Sequence, residues 1–217
     1  MGRAGWVAGL AVLVAGCATP NGVADRVRDY NEDGVYLYQQ GSYAGARDTF
    51  RAALALQPAD PNLLYNLAQC HDRLGQAAVA EQVYQDCLRR APNHPECRHA
   101  LTVLLVNSGR RADAAKMVDD WLAREPKLAA PYAEDGWLRA QSGDLLNARG
   151  RLQQALMHDP HNAFALTELA RLYETMHRPD RAVVLYEASL AANPHQPDVF
   201  QRVSLLRSQG AGRPHPD

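Results

Sequence analysis

No apolar run in this sequence is long enough to cross a bilayer as a helix. The longest, Ala4–Gly16, has 13 residues, against the roughly 20 that a span needs. There is no His-Glu-x-x-His, no glycine-rich phosphate loop and no Cys-x-x-Cys. Zinc-peptidase, phosphate-loop and thioredoxin-like chemistries therefore lack their residues. No paired-carboxylate motif and no nucleophile–base–orienter set can be picked out, and no stretch is left over to build a catalytic domain. No enzyme and no cofactor are expected. Neither charge sign is in excess: 23 basic residues stand against 24 acidic ones. The basic footprint of a nucleic-acid binder is missing, so no nucleic acid is expected as a partner.

What is present is a beat of 34 residues. From Pro58 it falls on Pro92, Pro126, Pro160 and Pro194. From Ala46 it falls on Ala80, Ala114, Ala148 and Ala182. Gly41, Gly75, Gly109 and Gly143 keep the same step, and His177 breaks the glycine series at the fifth beat. A fixed period in this range means one supersecondary unit stacked on copies of itself. Counted from Val27, the repeats are 27–60, 61–94, 95–128, 129–162 and 163–196. Tyr30, Gly34 and Leu37 make a helical stripe, and Ala46, Phe50 and Ala53 make a second. The unit is thus a helix pair. Position 8 (Gly34, Ala68, Thr102, Gly136, Ala170) and position 20 (always Ala) are small, which lets the two helix axes approach closely. Position 24 carries the large plug. Glycine at position 15 is expected because the turn tolerates little bulk, and proline at position 32 ends the second helix.

This pattern resembles the tetratricopeptide repeat (TPR) family over residues 27–196. The resemblance implies an all-α, right-handed solenoid of five helix pairs and, as function, a scaffold that binds other proteins. Pro197–Gly210 continues the first-helix pattern with Phe200, Val203 and Leu206, and reads as a capping helix with a polar outer face of Gln201, Arg202, Arg207 and Ser208. Residues 211–217 read as a frayed tail.

The N-terminus, 1–16, has the form of a secretory leader. It ends in Val14-Ala15-Gly16-Cys17, which looks like a bacterial lipobox. That likeness implies cleavage before Cys17, diacylation of Cys17 and attachment to a membrane through this lipid alone. Without 1–16 the net charge is about −2. Ala18 stands where an aspartate would commonly retain such a protein in the inner membrane, so the outer membrane, facing the periplasm, is the expected place. Residues 17–26 read as an irregular tether reaching at most about 30 Å.

In the TPR family, positions 2, 5, 9, 12 and 13 of each first helix line the concave groove where peptides bind. Carried over, this gives Tyr38, Tyr65, His99, Val103, Val106, Ala133, Trp137, Ala140, Phe164 and Arg171 as a protein-binding groove. Trp137 is expected to be partly exposed at its centre, among small alanines, with Phe164 about two turns away. The family's clamp for acidic C-termini is not matched: Asn31, Val35, Asn66, Glu96 and Ala100 occupy its positions, and only Asn66 fits. Cys87 and Cys97 are the one pair positioned to form a disulfide, though both also fit as small buried apolar residues. Cys70 lies too far along its helix. Eight histidines fall mostly in inter-repeat turns, and no metal site is expected. Trp121, Asp135 and Arg139 are expected to form one polar cluster, because Asp135 and Arg139 lie four apart on a helix and Trp121 needs an acceptor. The reading is an envelope-assembly adaptor. A pilotin-like factor for type IV pilus secretins and a non-catalytic regulatory subunit of an envelope enzyme are the alternatives. The oligomeric state is left open.

Overall fold

A computed structural model describes residues 20–211. Cys17, the leader, the first residues of the tether and all of the tail after Ala211 lie outside the described residues. Among the described residues there are eleven helices and no strand, and no helix is long and apolar enough to cross a membrane. The chain divides into two compact units between Pro92 and Asn93.

Unit one stacks two helix pairs: α1 (Pro20–Gln39) with α2 (Tyr43–Leu56), then α3 (Pro61–Arg73) with α4 (Ala77–Arg90). Helix α1 starts at Pro20, so residues 20–26 are helical rather than an irregular tether. Proline's fixed φ suits a first helical position. Val23, Val27 and Tyr30 then fall on one face, and they pack with Phe50, Ala53 and Leu63. That apolar burial extends the helix back by two turns beyond the repeat. Asp60 caps α3 by accepting from the backbone N–H groups of Asn62 (2.8 Å) and Leu63 (3.2 Å).

Unit two stacks α5 (Pro95–Asn107) with α6 (Arg111–Arg124), α7 (Ala129–Ala140) with α8 (Leu145–His158), and α9 (Ala163–Thr175) with α10 (Pro179–Ala192), closed by α11 (Pro197–Ser208). Its core includes Ala133, Ala148, Leu152, Ala170, Ala182, Tyr186, Val199 and Leu206. On α11, Val199, Val203 and Leu206 face that core, while Phe200 is 64% exposed. Val203 and Leu206 are as expected, and Val199 takes the place expected of Phe200, because 199, 203 and 206 keep the four–three spacing of one helix face. Ala211 is buried, and its N–H closes α11 by donating to Leu206 O at 3.1 Å, so it belongs to the cap and not to a frayed tail.

All five helix pairs turn in the same way. The N–H three residues past the helix end (four in the case of α7) reaches back to the carbonyl five residues earlier: Ser42 to Leu37, Gln76 to His71, Arg110 to Leu105, Asp144 to Arg139 and Arg178 to Tyr173, at 2.8–3.1 Å. This Schellman closure needs a left-handed residue in the turn. Gly41, Gly75, Gly109 and Gly143 supply it with φ between +73° and +79°. A Cβ at any of the four would meet nothing within 4 Å. Backbone conformation, not lack of room, is what calls for glycine here. His177, where the glycine series breaks, takes the same geometry with φ +56°.

Close approach does operate at position 8. A Cβ on Gly34 would lie 2.6 Å from the Phe50 ring, and one on Gly136 would lie 2.6 Å from Leu152 Cγ and 3.2 Å from Ala148 O. Ala148 is completely buried, as its expected contact with Gly136 requires.

Candidate functional site

Trp121, Asp135 and Arg139 do not form one cluster. Asp135, almost fully buried, takes Arg139 Nε at 2.9 Å and Arg151 Nε at 2.7 Å. The ion pair along the helix is as expected. Trp121 stands apart: its indole N–H donates to Asn93 Oδ1 at 3.1 Å, and the Arg98 guanidinium lies 4.4 Å over its ring. Trp121, at position 27 of repeat three, is met by the loop before α5 and by α5 itself, which is why Asn93, and not Asp135, supplies the acceptor. Burial pushes Arg98 down to about 10, helped by Arg124 and opposed by Glu134.

In unit one, the groove candidates Tyr38 and Tyr65 are half-buried. Tyr38 stands at the end of α1, its ring edge-on to Tyr43 at 5.1 Å. The Arg73 guanidinium donates to the Tyr38 hydroxyl at 3.0 Å and lies 5.9 Å from both rings. Tyr65 tilts against Tyr84 and accepts a hydrogen bond from Gln69. Both tyrosines are already engaged by neighbours, Tyr38 by residues of α2 and α3 and Tyr65 by residues of α3 itself and α4.

In unit two, the structure brings His99, Trp137 and Phe164 together. The His99 ring, half-buried on α5, lies edge-on to Trp137 at 4.9 Å and tilted against Phe164 at 4.8 Å. Trp137 is only 9% exposed. The expected open anchor is therefore a covered one, and the alanines do not leave the floor free. Ala133 is fully buried, and Ala140, Val103 and Val106 are half-buried. Spacing along α7 could show that Trp137 faces the groove, but not that a side chain 38 positions earlier lies across it.

The residues that reading passed over are Glu134 and Glu168, at position 6 of repeats four and five. Both are nearly buried, at 3% and 6% exposure. Buried carboxylates demand charged partners. Both oxygens of Glu134 share His99 Nδ1, at 3.1 and 3.2 Å. Glu168 takes Arg171 Nη1 at 2.6 Å, and Arg171 also reaches Asp198 on α11 at 3.3 Å. Burial works to lower the His99 pKa, but the hydrogen bond and charge of Glu134, with Glu168 behind it, outweigh burial and raise it. Burial likewise raises the Glu168 carboxyl against the pull of Arg171 and His99. A signal was available in the sequence: the same acidic residue at the same repeat position, twice in succession, beside aromatic groove positions.

Cys70 is a buried free thiol, pushed up to about 11 by burial. Cys87 and Cys97, the pair expected to bridge, are each fully buried.

Among curated proteins, the chain is 32% identical over 177 residues to cellulose synthase operon protein C of Pseudomonas fluorescens, covering 78% of this chain and 14% of that protein. It thus spans about one seventh of the length of that relative. It is also 27% identical over 132 residues to the photosystem I assembly protein Ycf3 of Cyanophora paradoxa, covering 57% of this chain and 76% of Ycf3. Among solved structures, it superposes on a thermophilic TPR protein of Thermus thermophilus with a TM-score of 0.63, 26% identity, and coverage of 84% of this chain and 99% of that one. Yeast Tom70 shares the fold with a TM-score of 0.62 at 21% identity, over 85% of this chain and 40% of its own. Family profiles described as tetratricopeptide repeat match residues 33–95, 73–134 and 139–204. With those matches laid over stacked helix pairs of the same register, the chain belongs to the tetratricopeptide repeat family.

Proposed function

We propose that this protein is a lipid-anchored TPR scaffold of the cell envelope that holds a polypeptide segment of a partner on the first-helix face of unit two. The observation that carries the reading is the pair of nearly buried carboxylates, Glu134 and Glu168, on a face also holding Phe164 and Arg171. Charges are costly to keep away from water, and repeat packing alone does not call for them. The lipobox-like Val14-Ala15-Gly16-Cys17 supports the anchor, with the outer membrane, periplasmic side, as the place. Site-specific photo-crosslinking in the native host tests the groove. A crosslinker at Phe164 or Arg171 is expected to trap a polypeptide, and one at Met157, which is 82% exposed on α8, is not. Equal trapping at all three positions, or none, would remove the reading. Cys17→Ser is expected to move the protein from the membrane fraction to the soluble one.

A second reading rests on the likeness to cellulose synthase operon protein C: a non-catalytic subunit serving an envelope enzyme for polysaccharide synthesis. Co-purification with a synthase in fixed ratio would favour it.

A further inference from the structure

The geometry of unit two points to a specific ligand for this face, an inference that rests on the protein-binding reading above. We propose that Glu134, Trp137 and Phe164 form a receptor for an arginine side chain of the partner segment, and that His99 fills the arginine's place in the free protein.

Three observations carry this. First, Glu134 is 3% exposed and both its oxygens lean on a single imidazole nitrogen. A carboxylate has about four acceptor sites, so one shared N–H leaves most of its capacity unused. A guanidinium offers two parallel N–H groups that match both oxygens at once. Second, the His99 ring is bracketed by Trp137 at 4.9 Å and Phe164 at 4.8 Å. A planar cation gains from aromatic rings within about 6 Å of it, and guanidinium stacks where an ammonium cannot. Third, the partner at hydrogen-bond distance from Glu134 is His99, an imidazole whose charge fades near neutral pH; Arg98 acts on Glu134 through its charge, and Arg171 is shared by Glu168 and Asp198. Arginine stays charged throughout. A neutral or acidic segment would bring Glu134 no such lasting partner.

The test uses N-acetyl-arginine methylamide as probe and the isosteric, uncharged citrulline analogue as control. Each is titrated into purified, nitrogen-15-labelled protein while the tryptophan indole N–H signals are followed by NMR. Trp121, held by Asn93, serves as internal reference. The arginine probe is expected to shift the Trp137 signal saturably and leave Trp121 unmoved, with no response to citrulline. Glu134→Gln is expected to weaken the response at least tenfold. His99→Ala, which removes the competing ring, is expected to strengthen it several-fold. An equal response to citrulline, or none to arginine, overturns the arginine site, and so does an unchanged response in Glu134→Gln, whose fold is checked by the Trp121 signal. Failure here is separable from failure of the protein-binding reading. If Phe164 still crosslinks a polypeptide while arginine leaves Trp137 unmoved, the groove stands and the arginine site falls. A saturable arginine response with no crosslinked polypeptide keeps the arginine site and removes the wider reading.

Discussion

His177 is the residue that the repeat alone would have replaced with glycine. It sits at φ +56°, where a side chain costs about 1–2 kcal/mol. Glycine would relieve that cost but lose more freedom on folding. His177→Gly is therefore expected to raise stability by about 0.5–1 kcal/mol in chemical denaturation, and Gly109→Ala to lower it by about 1 kcal/mol. If His177→Gly proved neutral or destabilising, the turn would not be carrying strain. Positions that depend on φ or on a missing methyl were legible as a strict beat, because one backbone geometry recurs five times and admits few residues. Glu134, Glu168 and the cover over Trp137 were not. Their roles depend on which side chains from other repeats lie across them, and no periodicity encodes that.

At the scale of elements, α5, α7 and α9 are joined by charge as well as by packing. His99 on α5 meets Glu134 on α7, and Glu168 on α9 lies near enough for its charge to act on both. The folded-state pKa of His99 is raised, so its contribution to stability is complete below the ordinary value of 6.5 and is lost as pH rises through the folded value. Glu168, raised by burial, has the same sense: folding favours its protonated form, and that contribution is lost as pH rises through its folded value. Glu174 runs the other way. Burial alone would raise it, but Arg202 and Tyr186 hold it low, so its contribution fades only in acid, below its ordinary 4.5. Unit two is therefore expected to melt at a higher temperature in weakly acidic buffer than in weakly alkaline buffer. His99→Gln should flatten that dependence. A melting temperature that rises with pH across this window would contradict the pairing. The element boundaries were largely legible too, α11 included, except at the start of α1. There the packing of Val23 lies outside the repeat frame, and no periodicity encodes it.

At the scale of the whole molecule, stability in a repeat protein is close to a sum of units and of interfaces between neighbours. Helix α11 has a neighbour on one side only. It buries Val199, Val203 and Leu206 on that side and receives Arg202–Glu174 and Arg207–Glu187 pairs from the preceding repeat. Loss of three buried apolar side chains sets an upper bound of about 5–9 kcal/mol. Deleting residues 197–217 is expected to cost a large part of that and to speed hydrogen exchange in α9 and α10 first. Unchanged protection there would mean that the cap is dispensable.

The contact between Gly136 and Leu152 also constrains the order in which this chain can change. Gly136→Ala alone gains helix propensity but drives a methyl to within 2.6 Å of Leu152, a net cost of about 1–3 kcal/mol. Leu152→Val alone costs about 1 kcal/mol for the methylene removed. Made together, they should come close to wild type, since the smaller valine clears the space the new methyl needs. Repeat three already holds such a combination, with Thr102 and Val118 both buried at the same two positions. A four-member mutant cycle at 136 and 152 should show the second substitution reversing sign once the first is in place. In repeat four drift then has a preferred route, Leu152 shrinking before Gly136 grows, whereas repeats two and five have settled on Ala68 with Tyr84 and Ala170 with Tyr186. Each helix pair would keep its own record of which step came first.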